Sequence, residues 1–283
     1  MASVRRLLVV LSVLAIALVG VTAPASAGGG GHGGSGGPVI LPPNSRPYGA
    51  SFAEWTARWW QWSYGTDIRV NPVFDNRKGA PQQPIPVSCR AGQQGPVWFL
   101  GGTYLPTDPT STPPSSTVYR SCRIPAGVAL FFPVLNSEFD NLACPPGPAT
   151  DYTAAQLAAA AHFSTDHAGA MQVTIDGAAV PGLTDVHTAF RSTSPWFAYR
   201  LPRFNVGRVV CAGDFPAGTR PPTVDGHPGA IADGVYVMVA PLSRGTHTIH
   251  VGGKIDIPAT PIPPAPAGPF EFEQDINYVI TVG

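Results

Sequence analysis

Two carboxylates stand close together where an apolar segment ends. Glu138 and Asp140 occur in Asn-Ser-Glu-Phe-Asp-Asn, directly after the predicted strand 128–135. Residues two apart in an extended segment point to the same face, so these side chains are expected to lie together. Such a pair could bind Ca²⁺ through its oxygens or act as acid and base in glycoside cleavage. The segment lacks the ligand spacing of an EF-hand, and a polar strand end with turn-forming residues is the simpler interpretation. Glu138 and Asp140 are the candidate catalytic residues.

The histidines do not form a local metal site. His247 and His250 are three apart on a predicted strand, so they face opposite sides and cannot share an ion without a bulge. A site assembled from distant residues, such as Glu138 with His227 or His250, stays open. The sequence contains no C-x-x-C pair, no H-E-x-x-H and no Walker A loop. We therefore predict no metal and no other cofactor.

The most unusual segment is Glu-Trp-Thr-Ala-Arg-Trp-Trp-Gln-Trp, residues 54–62, which holds four of the six tryptophans. Ser51 and Glu54 match a capping box, which predicts a helix beginning here. On a helical projection, one face collects four large apolar side chains: Phe52, Trp55, Trp59 and Trp62. Trp60 lies at the edge of that face. The pattern predicts an amphipathic helix of about three turns that buries its indoles.

An aromatic platform for sugar rings is the alternative use of these indoles. The alignment of one apolar face favours a core anchor, and leaves Trp60 as the best candidate for exposure. Together with Trp98 and Trp196, Trp60 forms the set of predicted ligand-binding residues. The polar face of the helix is not rich in lysine, which argues against a helix that lies on a membrane.

The first residues read as a secretory signal peptide. Arg5 and Arg6 precede an apolar run, and Ala-Ser-Ala at 25–27 matches a cleavage site. We predict a signal peptide over 1–27, a flexible tether rich in Gly and Pro over 28–47 and a single domain over 48–283. The expected location is extracellular. No later segment is apolar enough to predict a membrane span.

Charge and cysteine content narrow the functional classes. Residues 28–283 carry a formal charge of −2, so there is no basic excess to neutralise phosphates and nucleic acid is not an expected partner. The four cysteines all follow the predicted cleavage site, and an even number in an oxidising compartment favours two disulfides. Three pairings are possible. We prefer Cys89–Cys122 with Cys144–Cys211, which joins neighbouring segments.

The remaining pattern indicates a mainly β domain. A second helix is predicted over 154–168 behind a Thr153 capping box, and Asp176-Gly177 marks a tight turn. Short strands punctuated by Gly and Pro, without βαβ alternation, predict an antiparallel β-sandwich or jelly roll with two peripheral α-helices. The predicted strands are 97–101, 117–124, 128–135, 171–175, 196–201, 235–240, 246–251 and 271–282.

Several segments resemble a family of uncharacterised bacterial exported proteins. They read EWTARWWQW, GQQGPVWFLGG, CRIPAGVALFFPVLN, PLSRGTHTIHVGG and INYVITV. The resemblance spans roughly residues 50–282. It implies export and one globular unit, and it supplies no catalytic residue and no function.

The sequence therefore favours a secreted, non-enzymatic binding protein. The expected ligand is an extracellular carbohydrate or a cell-surface polymer, on the basis of low charge, high aromatic content and the lack of a catalytic motif. One alternative is a secreted hydrolase or lyase that acts on a polysaccharide with Glu138 and Asp140. A structural envelope protein is the other. The oligomeric state is left open.

Overall fold

The computed structural model describes residues 37–104, 106, 108, 110, 114–144, 150–211, 213–258, 263 and 269–283. The predicted signal peptide and the first part of the predicted tether lie outside these residues. Among the helices in the described part, none is long and apolar enough to cross a membrane.

The described chain is mainly β, as predicted. Its helices are α1 (Phe52–Gly65), α2 (Ala154–Asp166) and α3 (Gly207–Val210). Its strands are β1 (Ile85–Pro86), β2 (Val97–Phe99), β3 (Ser115–Ile124), β4 (Ala129–Phe139), β5 (Ala168–Ile175), β6 (Ala178–Ala179), β7 (Arg191–Thr193), β8 (Ile231–Val239), β9 (Gly245–Ile257) and β10 (Phe270–Val282).

The strand predicted over 196–201 does not form. Phe197 makes one isolated bridge to Ala230, whereas the Leu201 amide donates to the Thr219 carbonyl. Because the backbone bonds of this segment go to two different partners, it stays irregular. The predicted tight turn is present: Asp176 and Gly177 both have positive φ, 51° and 78°, and join β5 to β6.

The strands form two mixed sheets, whereas the sequence predicted an antiparallel arrangement. Six strands are ordered β1-β3-β10-β9-β5-β6, and four are ordered β2-β4-β8-β7. β10 runs antiparallel to β9 but parallel to β3, and β2 runs parallel to β4. These parallel pairs join segments that are not consecutive hairpin arms, a pairing that local pattern does not reveal.

One hydrophobic cluster combines side chains from both sheets. Leu130 and Val237 of the four-stranded sheet belong to the same buried cluster as Val173 and Ile276 of the six-stranded sheet. Both expected disulfides are present in the preferred pairing, Cys89–Cys122 and Cys144–Cys211.

Helix α1 packs against the four-stranded sheet and is deeply buried. The Ser51–Glu54 capping box is present in full, and Phe52 packs edge-on against Phe131 of β4 with ring centroids 5.6 Å apart. The predicted exposure of Trp60 was wrong, since it is only 5% exposed. Its indole Nε1 donates to the Tyr236 hydroxyl at 3.2 Å, which satisfies the polar atom inside the core.

The ordered domain begins before the predicted boundary at residue 48. Ile40 bridges to Val239 of β8, and the Leu41 amide donates to the Met238 carbonyl at 2.9 Å. Both side chains are apolar and pack on buried clusters, which explains why this part of the predicted tether is held on the sheet.

Candidate functional site

A cavity of about 250 Å³ opens at one end of the two sheets. Its walls come from the last turns of α1, the segment after β2, the end of β4, α2 and the facing ends of β9 and β10. Phe270, the first residue of β10, lines the cavity and is 37% exposed. This residue marks where the cavity meets the surface.

Aromatic side chains form one wall. Trp59 and Trp60 of α1 meet edge to face, with ring centroids 5.0 Å apart. Trp60 then contacts Tyr64 one turn later at 5.1 Å, and Tyr64 contacts Tyr104 at 6.4 Å. All four line the cavity. The helical spacing of three of them and the position of Tyr104 just after β2 produce this continuous aromatic surface.

The predicted carboxylate pair lies beside this wall. Glu138 lines the cavity, and Asp140 follows it on the same face beyond the end of β4. The two carboxyl groups are close enough to hydrogen bond to each other. Asp140 is further fixed by the Tyr199 hydroxyl and by the Leu142 amide, which donates to Oδ1 at 2.6 Å. The pair is therefore held by these two donors to Asp140 and by Tyr64, which hydrogen bonds to Glu138.

The electrostatics of the pair favour retention of a proton. Burial, followed by the neighbouring Asp140 carboxylate, holds the pKa of Glu138 well above its usual range. Burial also raises the pKa of Asp140, although the hydrogen bonds from Tyr199 and Leu142 oppose the shift. Burial raises the pKa of Tyr104 to about 12, so this phenol stays protonated at neutral pH.

Three buried polar atoms on the cavity lining have no hydrogen-bond partner within the described structure. They are Oε1 of Glu138, Oγ1 of Thr103 and Oγ of Ser164. Buried polar side-chain atoms in native proteins usually have a partner, so each exception calls for an explanation. Their convergence on one aromatic cavity is what a site for a polar ligand requires.

The predicted stacking residues do not form one exposed surface. Trp60 lines the cavity, whereas Trp98 is 9% exposed and belongs to the cluster between the sheets. Trp196 packs beside α2 and stacks on His227, with ring centroids 5.2 Å apart. Of the three, only Trp60 reaches the cavity.

The histidines considered with Glu138 have other partners. Nε2 of His250 lies 2.6 Å from Asp275 Oδ1, and Nδ1 of His247 lies 2.7 Å from Asp176 Oδ2. His227 stacks on Trp196. Among the described residues, no three His, Cys, Asp or Glu side chains are grouped so that they could hold a metal ion.

Sequence reasoning missed the three tyrosines around the acid pair. Tyr64 follows Trp60 by four residues, so helical spacing alone places it on the same side. Tyr199 reaches Asp140 from 59 residues away, and Tyr104 follows a short strand. Neither of these two carries a local signal that links it to Glu138.

Comparison of the chain with protein-family models, with curated proteins and with solved structures finds no match. The fold and the site by themselves define a mainly β, disulfide-bonded domain with an aromatic, acidic cavity. The resemblance to exported bacterial proteins stays a prediction.

Proposed function

We propose that this is a secreted binding protein that holds a small ligand, or one terminal unit of a larger extracellular polymer, in the cavity. The observation that carries the proposal is that Glu138 Oε1, Thr103 Oγ1 and Ser164 Oγ, all buried without partners among the described residues, lie on one aromatic lining. Two disulfides are consistent with an oxidising, extracellular location. We take the two sheets to form a sandwich, with the cavity at one end.

The size of the cavity favours one small group over a polymer chain. Ligand pockets typically measure about 300–1,000 Å³, and this cavity has about 250 Å³. A single sugar ring at the end of a glycan is within this class. An extended polymer would need a longer row of accessible aromatic residues, and Trp98 and Trp196 do not continue the surface that Trp60 contributes.

Catalysis is the second candidate, and the raised pKa of Glu138 is the observation in its favour. A protonated, buried carboxyl group can act as a general acid. Glycosidase carboxyl pairs, however, stand about 5–5.5 Å or 6.5–9.5 Å apart to admit the sugar or a water. Glu138 and Asp140 interact directly with each other instead. This geometry favours binding over glycoside cleavage.

The test is a ligand screen of the protein without residues 1–27. We would measure thermal unfolding and equilibrium dialysis with neutral monosaccharides, amino sugars and small ammonium compounds, and analyse each mixture for products. Ser164 is 4% exposed on the cavity side of α2, so Ser164→Leu is designed to fill the cavity. Ala159 is exposed on the same helix, and Ala159→Leu adds similar bulk outside it.

A ligand that binds the native protein and Ala159→Leu, but not a folded Ser164→Leu variant, would support the proposal. Products that disappear in Glu138→Gln would establish the enzyme instead. Binding that is equal in both leucine variants would place the ligand elsewhere and overturn the proposal, as would a screen without any bound compound.

A further inference from the structure

We propose that the ligand presents an organic ammonium group to Glu138, between the aromatic faces of the cavity. The inference rests on the proposed binding function and specifies the chemical class of the ligand. It is carried by the juxtaposition of one buried carboxyl group with a continuous wall of indole and phenol rings.

The charges on the lining select against anions. Glu138 lines the cavity, and no Lys, Arg or His is present among its described lining residues. Asp140 stands directly behind Glu138. A carboxylate or phosphate would therefore meet two carboxyl groups without a cation to balance them. A cationic group would instead face a carboxyl group that becomes its counter-ion once Glu138 releases its proton.

The aromatic wall supplies the second attraction. The faces of Trp and Tyr rings carry partial negative charge and attract ammonium groups, most strongly when water is excluded. Trp60, Tyr64 and Tyr104 line the cavity together with Glu138, and their rings follow one another at 5.1 and 6.4 Å. An alkylated ammonium group can contact these rings with its methyl groups while its charge faces the carboxyl group.

The unpartnered Oε1 of Glu138 fits this assignment. The titratable groups that face the carboxyl pair are Tyr64 of α1, Tyr104 after β2 and Tyr199 in the irregular segment opposite. All three phenols have raised pKa values, because burial disfavours their ionised forms. Among the described residues, no Lys, Arg or His therefore acts on the Glu138 carboxyl group, and its bound proton keeps it neutral in the free protein.

Binding exchanges that proton for the ligand. As the ammonium group enters, Glu138 releases one proton to solvent, so the net charge of the cavity does not change. Below the raised pKa of Glu138, each unit by which the pH rises should therefore strengthen binding by up to about tenfold. A neutral ligand of the same shape would show no such dependence.

The experiment compares choline with 3,3-dimethylbutan-1-ol, in which carbon replaces the quaternary nitrogen. Isothermal titration calorimetry would be done at pH 6, 7 and 8, in buffers with different ionisation enthalpies. We expect choline to bind at least tenfold more tightly than the alcohol and to release close to one proton. Glu138→Gln should remove the pH dependence and reduce the preference to the part that the aromatic rings supply. Glu273→Gln, an exposed charge change on neighbouring β10, should retain them.

Equal binding of choline and the alcohol, or no binding of choline, would overturn the ammonium assignment. The proposed binding function would survive that result if a neutral compound from the screen bound the native protein and lost affinity in Ser164→Leu. If no compound in the screen bound, the binding function itself would fail. Retention of proton release in Glu138→Gln would also overturn the assignment to this residue.

Discussion

The hydroxyl of Tyr199 donates a hydrogen bond to Oδ2 of Asp140, although 59 residues separate them in the chain. Oδ1 of the same carboxyl group accepts from the Leu142 amide. Asp140 is thus supplied with donors on both oxygens, while Oε1 of the adjacent Glu138 has none among the described residues. The two carboxyl groups therefore differ: both oxygens of Asp140 have donors, whereas Glu138, which hydrogen bonds to Tyr64 and Asp140, keeps Oε1 on the cavity lining without a partner among the described residues.

Tyr199→Phe should destabilise the protein by about 1–3 kcal/mol, because it leaves a buried carboxyl oxygen without its donor. The measurement is urea-induced unfolding at pH 7. Tyr48 is 42% exposed, so Tyr48→Phe is the matched control and should change the free energy of unfolding by less than about 0.5 kcal/mol. Equal effects of the two substitutions would show that the Tyr199 hydroxyl does not support the pair.

Glu138→Gln should change how stability depends on pH. The folded-state pKa of Glu138 is raised, so the folded protein binds this proton more tightly than the unfolded chain does. The contribution of Glu138 to the free energy of unfolding is fully present below the unfolded pKa of about 4.3 and falls as pH rises toward the folded pKa. The loss is up to about 1.4 kcal/mol per pH unit. Glutamine does not titrate, so the free energy of unfolding of the variant should rise relative to that of the native protein as the pH increases across this range.

Urea-induced unfolding of both proteins from pH 4 to 8.5 would test this. The difference between their free energies isolates Glu138 from the other carboxylates, and it should shift in favour of the variant as the pH rises from 4 to 8. The free energy of unfolding of Glu273→Gln should depend on pH in the same way as that of the native protein. A difference that stays constant with pH would mean that the buried carboxyl group is not the proton-holding group.

Thr103→Val separates a ligand-binding role from a structural one. The Thr103 hydroxyl is buried on the cavity wall without a partner in the described part of the chain, so its replacement by a methyl group removes no hydrogen bond seen in that part. We expect unchanged or slightly increased stability in thermal unfolding, together with weaker ligand binding by about 0.5–1.5 kcal/mol. A loss of stability above about 1 kcal/mol would reveal a partner in the free protein and contradict the assignment.

Arg120 supports the cavity wall from inside the protein. It is fully buried, and its Nη1 donates to the carbonyl oxygens of Gly101 and Gly102, each at 2.9 Å. Its Nη2 donates to the Asp75 carbonyl at 2.8 Å. Arg120→Met would remove the donor to the Gly102 and Asp75 carbonyls, although Gly101 keeps its hydrogen bond from the Tyr278 hydroxyl, and should cost at least about 3 kcal/mol.

The same variant should weaken ligand binding, because the anchored glycines lead directly into Thr103 and Tyr104. Arg123 is exposed on the same strand, so Arg123→Met removes the same charge without a buried bond and should change stability by less than about 0.5 kcal/mol. Unfolding and dialysis measurements on both variants test the two effects. Similar stability of the two variants would contradict the proposed support.

Local pattern predicted most of the long helices and strands but not the site. The α1 capping box and the face of Trp55, Trp59 and Trp62 follow from helical spacing, and both are observed. Trp60 was predicted wrongly because its indole partner, Tyr236, lies 176 residues away. The pair Glu138 and Asp140 follows from strand periodicity. Burial raises both pKa values, whereas the hydroxyls of Tyr64 and Tyr199, which only the tertiary fold brings to the pair, hydrogen bond to it and oppose the rise.

Local pattern also could not predict which strands pair, because the partners lie far apart in the chain. The sequence predicts β3 and β10 as strands. They pair in parallel, with Ile276 opposite Val118, although most of the domain lies between them in the chain. Hydrophobic periodicity specifies which face of each strand is buried, and it does not specify the neighbour or its direction.

The two disulfides should stabilise the domain to different extents. They close loops with sequence separations of 33 and 67 residues, for Cys89–Cys122 and Cys144–Cys211. In the chain-entropy description, removal of either bridge costs about 4 kcal/mol, and a doubling of the loop adds about 0.6 kcal/mol.

The paired serine variants should therefore both unfold at lower urea concentrations, the Cys144→Ser/Cys211→Ser protein slightly more so. Urea-induced unfolding of each variant, with the reduced native protein as reference, gives the two values. If removal of Cys89–Cys122 were the more costly by over about 1 kcal/mol, loop entropy would not be the dominant contribution, and the packing of that bridge in the cluster between the sheets would be the better explanation.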